Sequence, residues 1–337
     1  MKTLLICWPR REGEDLDTFF VDKNLRHKND DGHYYMGKRE QDAVATLYKN
    51  LVEVCKEESI PHKIVYNKRY RWIPYSNTDI TLCYHIHKNA NQAKNDNEWC
   101  SHTSGSPGYF TFDQMGYAGF STVCNVAPPS FNEGYAELFK TKEWFEEFAS
   151  DYIGNNVSRN TQYIKAPKIE GEYVFIAGQL SYDSVLQLSD IPGQVYYDNM
   201  ARRAQELGLK VVYKPHPGEM LKDARKGTFK APNGSIVTQG NIHELIAGAK
   251  AVITVNSGVG MEALFHRKPV YICGSADYEG GCYKVRKGEY DRIDFGWTPD
   301  QQHIENLLYY LHKQFYVDVY DKESIRKRLK FMYSLQV

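Results

Sequence analysis

Short β-branched strands alternate with helices between Val211 and Gly281, and this constrains the fold more than any other feature of the chain. Val-Val-Tyr-Lys-Pro-His-Pro-Gly-Glu (211–219) runs an apolar strand into a turn restricted by two prolines. Ala-Val-Ile-Thr-Val-Asn-Ser-Gly-Val-Gly-Met-Glu-Ala-Leu-Phe-His-Arg-Lys-Pro-Val (251–270) gives a strand, a small-residue turn, a helix and the start of another strand. A strand that empties into Asn-Ser-Gly at a helix start presents backbone N–H groups to an anion, as doubly wound sheets do. Two such loops suggest a site for a nucleotide phosphate.

The same alternation extends in both directions. Strands are expected at Thr3–Trp8, Lys63–Tyr66 and Asp79–Tyr84, with a helix from about Glu40 to Glu58 that carries Ala43, Leu47, Leu51, Val54 and Cys55 at helical spacing. From Lys88 to Pro129 periodicity fades, which suggests a long functional loop. Residues 137–153 suit an aromatic-faced helix and Asn155–Lys168 a polar crossing. The second half restarts at Tyr173–Ala177 and continues through Gln194–Leu207, Lys210–Tyr213, Ile242–Gly248, Ala251–Val255, Val259–His266 and Val270–Cys273. Helices around Asp300–Phe315 and Ser324–Tyr333 end it. The expectation is an α/β chain of two Rossmann-like domains, residues 1–160 and 161–320, with a C-terminal helix at 321–337 and a cleft between the domains.

Lys plus Arg and Asp plus Glu both number 42, so no global field points to nucleic acid or membrane. The seven scattered cysteines include no C-x-x-C pair and suit reduced thiols. No apolar run reaches the length of a membrane span, and the opening residues are too short for a signal peptide. A cytoplasmic protein, of a bacterium or a phage-infected cell, is expected.

Chemistry-bearing residues cluster beyond the strand ends. Ser257 suits a helix cap, Gly258 admits a close ligand, and Glu262 one turn later suits ribose hydroxyls. The alternative is an ordinary βα turn with a surface Glu. Lys214 and His216 stand on the proline-locked turn, where they suit a leaving phosphate, or else form a rigid exposed turn. Asp183 follows the strand at 173–177 and suits a nucleophile, a general base or a helix cap. In the first half His85, His102 and Asp113 are acceptor-side candidates, with His87 completing an H-x-H spelling beside His85. Asp15-Leu16-Asp17 spells a metal-binding D-x-D without a preceding strand. No metal-ligand cluster of credible spacing is present.

Gly-Gln-Leu-Ser-Tyr-Asp-Ser (178–184), Lys-Pro-His-Pro (214–217), Asn-Ile-His-Glu-Leu-Ile (241–246), Val-Asn-Ser-Gly-Val-Gly-Met-Glu-Ala-Leu (255–264) and Lys-Pro-Val (268–270) occur in one order and spacing. Over residues 171–281 the chain resembles the capsule-polysaccharide β-Kdo transferases. The resemblance implies a GT-B-like glycosyltransferase with a CMP-activated or other nucleotide-sugar donor, acting without a metal. It needs no cofactor, because the nucleotide-sugar is a co-substrate. It implies that Lys214 and His216 hold the donor phosphate, that Ser257 and Gly258 complete that pocket with Gln179 and Asn256, and that Glu262 meets the ribose. Asp183 falls at the catalytic aspartate.

The acceptor stays open between a glycan and DNA. Lys63, Lys68, Arg69 and Arg71 interleave with Tyr66, Tyr70, Trp72 and Tyr75, a pattern that suits phosphate contacts and base stacking. A phage enzyme adding arabinose or glucose to hydroxymethylcytosine is the alternative, and a solvated basic edge is the plainer reading. A sugar-nucleotide-binding protein without turnover is the alternative from another class.

Overall fold

The computed structural model describes residues 2–8, 38–66, 79–84, 97–125, 138–160, 162, 164–217 and 229–335. The first half supplies β1 (Leu4–Trp8), α1 (Lys38–Glu57), β2 (His62–Tyr66), β3 (Ile80–Tyr84), β4 (Glu98–Thr103), β5 (Tyr109–Asp113) and α2 (Leu138–Gly154). The second supplies β6 (Tyr173–Ala177), α3 (Gly193–Glu206), β7 (Lys210–Lys214), β8 (Ile236–Val237), α4 (Ile242–Gly248), β9 (Ala251–Ile253), α5 (Val259–Phe265) and β10 (Val270–Ile272). β11 (Tyr283–Lys284), α6 (Gln301–Tyr310), β12 (Tyr316–Asp318) and α7 (Lys322–Ser334) follow.

The second sheet is parallel throughout, in the order β8-β7-β6-β9-β10-β11. This is the doubly wound arrangement, with its topological switch between β6 and β9. Its strands are apolar on both faces because helices cover both. Val174 and Ile176 face α3 through Tyr196, Tyr197 and Met200. Phe175 and Ala177 alternate to the opposite face, with Phe145 of α2, Leu245 of α4, Leu264 of α5 and Ile304 of α6.

The first sheet runs β2-β1-β3-β4-β5-β12. β2, β1, β3 and β4 are parallel, and β5 and β12 are added antiparallel. β4 and β5 lie within the stretch expected to be an irregular loop. Their inward residues include Ser101, His102, Thr103 and Thr111, all buried, so burial here carries no apolar alternation to read.

The expected boundaries at 160 and 320 do not match the packing. α2 buries Phe145, Ala149 and Tyr152 in the core of the second domain, so the chain has crossed over by residue 138. It returns earlier than expected too, because β12 pairs with β5 in the first sheet. Ile325, Leu329 and Met332 of α7 are fully buried beside Leu4, Leu47 and Leu51. Burying three such side chains stabilises by roughly 5–9 kcal/mol. The surface pairs of Lys322 and Arg326 with Glu57 are exposed and screened by solvent, so apolar packing is what docks α7 on the first domain.

Candidate active site

A cavity of about 560 Å³ lies between the domains at the carboxyl ends of β6, β7 and β9. Doubly wound sheets bind ligands in this place, since the strand order reverses there and leaves a crevice. The loops after β6, β7, β9 and β10 form one wall. The end of β4, residues 117–118 and the connection at Ser158–Gln162 form the other.

Asp183, Gln179 and Asn256 meet at the switch point. Asn256 is locked: its Oδ1 accepts from Gln179 Nε2 at 2.9 Å, and its Nδ2 donates to the Val185 and Ser275 carbonyls at 2.7 and 3.2 Å. Gln179 Oε1 accepts from the Asn256 N–H, and its Nε2 also reaches Asp183 Oδ2 at 3.4 Å. Both side chains are buried and spent on tying the β6 loop to the β9 loop. They hold the two loops together where both line the cavity. Asp183 caps the short helical turn at Ser184–Leu188, accepting from Val185 N–H at 3.3 Å. Both of its bonds are long, and a carboxylate has about four lone-pair sites, so it keeps acceptor capacity toward the cleft that it lines.

The turn after β7 behaves differently from its sequence expectation. Lys214 lines the cavity, but its ammonium donates to Gln162 Oε1 at 2.7 Å and to the Gly240 and Gln239 carbonyls at 2.6 and 3.4 Å. Three donors meet three acceptors, so Lys214 fastens this wall of the cavity. Burial pulls its ammonium down to about 8, against the opposing pull of Glu262. Burial and the neighbouring charge of Arg159 lower the His216 imidazole to about 4, so at neutral pH it offers one N–H and no charge. The cation facing this part of the cleft is Arg159, whose Nη2 donates to Thr103 Oγ1 of the first domain at 3.0 Å.

Glu262 is 2% exposed and lines the cavity. Its Oε1 accepts from Ser158 Oγ at 2.9 Å, while its buried Oε2 has no hydrogen-bond partner among the described residues. Burial pushes the carboxyl up to about 7, opposed by the Ser158 bond and the charges of Lys214 and Arg159. A buried carboxylate oxygen without a donor is costly, so a hydroxyl brought to it would be bound at a gain. Ser257 Oγ accepts from Val259 N–H at 3.4 Å, and its carbonyl accepts from the Tyr278 hydroxyl. Gly258 is small for a different reason than expected. A Cβ there would stand 3.2 Å from the Gly105 Cα of the first domain, so its smallness serves the domain contact.

On the opposite wall His102 is stacked between Tyr117 (4.1 Å between ring centroids) and Tyr84 (5.6 Å). Its Nδ1 meets the Thr103 carbonyl at 2.8 Å, and a carbonyl only accepts, so Nδ1 carries the proton. Tyr117 in turn joins Ser184 of the second domain at 2.8 Å. Asp113 does not join this wall. Its oxygens accept from the N–H groups of Met115, Gly116 and Thr122 and from the Thr122 hydroxyl, because β5 runs antiparallel and carries its end away from the cleft. Asp113 is a turn-builder and not an acceptor-side base. His85, Asp15 and Asp17 lie outside the described residues, as does the basic-aromatic segment beyond Tyr66. Among the described residues no three His, Cys, Asp or Glu side chains stand together as a metal-binding set.

The family model for capsule polysaccharide biosynthesis proteins matches residues 134–284, somewhat under half of the chain. The Escherichia coli capsule polysaccharide export protein KpsS is 37% identical over 70 residues, which are 20% of this chain and 18% of that protein. Among solved structures, the Thermosulfurimonas dismutans KpsC β-Kdo 2,4 transferase superposes with a TM-score of 0.52 at 16% identity, covering 77% of this chain and 87% of that one. The chain resembles the capsule-polysaccharide β-Kdo transferases. Its fold is that of the two-domain GT-B glycosyltransferases.

The resemblance and the geometry agree on the second domain, where the matched region ends with the wall formed after β10. Two cleft residues had no sequence signal. Arg159 sits in a stretch that reads as a polar connection, and its partner Thr103 lies 56 residues away. Asp277, buried and pushed up to about 6 by that burial, accepts from the Tyr316 hydroxyl at 2.7 Å across the domain boundary. Among the described residues no helix is long and apolar enough to cross a membrane.

Proposed function

We propose that this chain is a glycosyltransferase of the capsule-biosynthesis type, moving a sugar from a nucleotide-sugar donor to a hydroxyl of a glycan acceptor. The observation that carries this reading is convergence: Asp183, His216 and Glu262 come from the ends of three strands onto one cleft at the switch point. Glu262 Oε2 takes a ribose hydroxyl as its missing donor. Arg159 and the His216 N–H face the phosphate, and no metal is required for its charge. The acceptor hydroxyl attacks the anomeric carbon and gives its proton to Asp183 as the carbon–oxygen bond to phosphate breaks. The nucleotide leaves with that electron pair, stabilised by fixed donors.

A thermal-shift screen of CMP-, UDP- and GDP-sugars tests the reading. At about 100 times Kd a ligand of the native state stabilises by about 2.7 kcal/mol, a shift of several degrees. The true donor stands out, and its sugar then appears on a glycan acceptor at an unchanged rate in EDTA. Stabilisation by no nucleotide-sugar overturns the donor site. Stabilisation without transfer identifies a non-catalytic binder, and transfer only to hydroxymethylcytosine DNA replaces the acceptor.

A further inference from the structure

The Asn-Ile-His-Glu segment (241–244) at the start of α4 belongs to the sequence resemblance, yet of its four residues Ile242 alone lines the cleft. Its polar groups converge on the connection after α2. Asn241 Nδ2 donates to Asn156 Oδ1 at 3.0 Å, and the Ile242 N–H donates to Gln162 Oε1 at 3.0 Å. Glu244 Oε2 accepts from the Ala166 N–H at 2.6 Å. His243 Nε2 meets the Val157 carbonyl at 2.8 Å. Four consecutive residues therefore hold one connection.

A carbonyl only accepts, so His243 Nε2 carries the proton. Burial lowers the His243 imidazole, against the pull of the Val157 bond and helped by the charge of Lys214. Burial, with His243 and Lys268 beside it, lowers His266 to about 4. Both rings are therefore neutral at neutral pH, and His243 Nδ1 accepts from His266 Nε2 at 2.9 Å. His266 thus favours the one tautomer in which His243 can hold Val157. The Val157 N–H is held too, by the Tyr152 carbonyl at 2.8 Å. The next two residues face the cleft: Ser158 donates to Glu262 Oε1 at 2.9 Å, and Arg159 to Thr103 Oγ1 at 3.0 Å. An apolar side chain would fill the place of a buried imidazole without its desolvation cost. This one spends both nitrogens on fixing the residue before Ser158.

We propose that His243 is a positioning residue of the cleft, gripping the Val157 carbonyl so that Ser158 stands against Glu262 and Arg159 against the phosphate of a bound nucleotide-sugar. The Arg159 half rests on the nucleotide-sugar reading above, and the Ser158 half stands without it. Two replacements of similar shape separate the ring nitrogens. A glutamine amide reaches the place of Nε2, whereas an asparagine amide reaches only that of Nδ1. His243→Gln therefore keeps a donor for Val157, and His243→Asn loses it.

Calorimetric titration of the full chain with CMP, UDP and GDP tests the Arg159 half. The nucleotide that binds the parent should bind His243→Asn about ten-fold more weakly and His243→Gln within about three-fold of the parent. Most of that loss should disappear in an Arg159→Met background, because the grip acts through Arg159. An undiminished loss there overturns this half, since it shows general loosening. The measurement that needs no ligand is a carbon-13 titration of the Glu262 carboxyl, assigned with Glu262→Gln. The Ser158 bond lowers this carboxyl, so His243→Asn should raise its midpoint at least as far as Ser158→Ala does, and His243→Gln should leave it near the parent's. An unmoved midpoint in folded His243→Asn overturns the proposal whether or not a nucleotide binds. Binding of no nucleotide by the parent overturns the donor reading alone, and the Glu262 midpoint still decides His243. Should His243→Asn fail to fold, Asn241→Ser decides, because it keeps a helix cap and gives up Asn156. It should raise the midpoint by a smaller amount, and an unmoved value there overturns the proposal equally.

Discussion

The two walls of the cleft are built by different means. The second-domain wall comes from successive strand ends of one parallel sheet, so Asp183 and His216 stand on the loops after β6 and β7, and Glu262 on α5, the helix that follows β9. The first-domain wall is assembled from distant pieces: His102 at the end of β4, Tyr117 beyond an antiparallel strand, and Arg159 past α2. A parallel sheet brings functional loops to one edge as a consequence of its topology. A wall of scattered pieces depends on cross-domain bonds such as Arg159 to Thr103 and Tyr117 to Ser184. The second-domain wall is thereby built within one sheet, and the first-domain wall is completed by contact across the cleft.

Removing the proposed base should break this division most sharply. Asp183→Asn keeps an oxygen to cap Val185 and loses the proton acceptor. Transfer should fall by about 10²–10⁴-fold while nucleotide affinity stays within a few-fold. Single-turnover rates beside equilibrium binding check it, and full transfer in this variant removes Asp183 from the chemistry.

The contrast between Arg159 and Lys214 gives the next largest effect. Arg159→Met should cost donor affinity about 10–100-fold, the worth of a hydrogen bond to a charged group. Lys214→Met should act on stability instead, by roughly 1–3 kcal/mol, because the Gly240 and Gln239 carbonyls lose a donor and Gln162 Oε1 is left with the Ile242 N–H. Donor titration and thermal melting of both variants separate the roles. The reverse outcome, with Lys214→Met losing affinity without stability, restores Lys214 as the phosphate ligand.

The same contrast explains what the sequence made legible. The second domain was readable because each functional loop is contiguous with the apolar strand before it, and strand, turn and helix signals coincide. β8 and β11 are two residues each and carry no periodicity. β4 went unread because Ser101, His102 and Thr103 are buried polar residues, so no apolar alternation marks the strand. β12 follows helix α6 directly and becomes a strand only by pairing with β5, some two hundred residues earlier. Lys214 looked like a ligand because spacing shows where a side chain starts. Where its ammonium ends was decided by Gln162 and Gly240, which no local pattern connects to it.

The remaining expected effect, a few degrees in melting, concerns Glu262 and tests whether its wall is built at a cost. Its carboxyl is raised from 4.5 to about 7 by burial, so between those values the folded protein holds a proton that the unfolded chain releases. Stability then falls as pH rises through this window, because the native state binds more protons there. A shift of this size corresponds to about 3 kcal/mol at most above pH 7. Glu262→Gln carries no charge to desolvate, so without ligand it should melt a few degrees above the parent at pH 8. The advantage should vanish near pH 4.5, where the parent carboxyl is also neutral. With the nucleotide-sugar present the order should narrow or reverse at pH 8, because the ribose hydroxyl supplies the donor that Oε2 lacks and favours the ionised form. A parent protein that outlasts Glu262→Gln at pH 8 without ligand would mean that Ser158, Lys214 and Arg159 already satisfy this carboxylate, and the donor wall would then store no cost for the ligand to relieve.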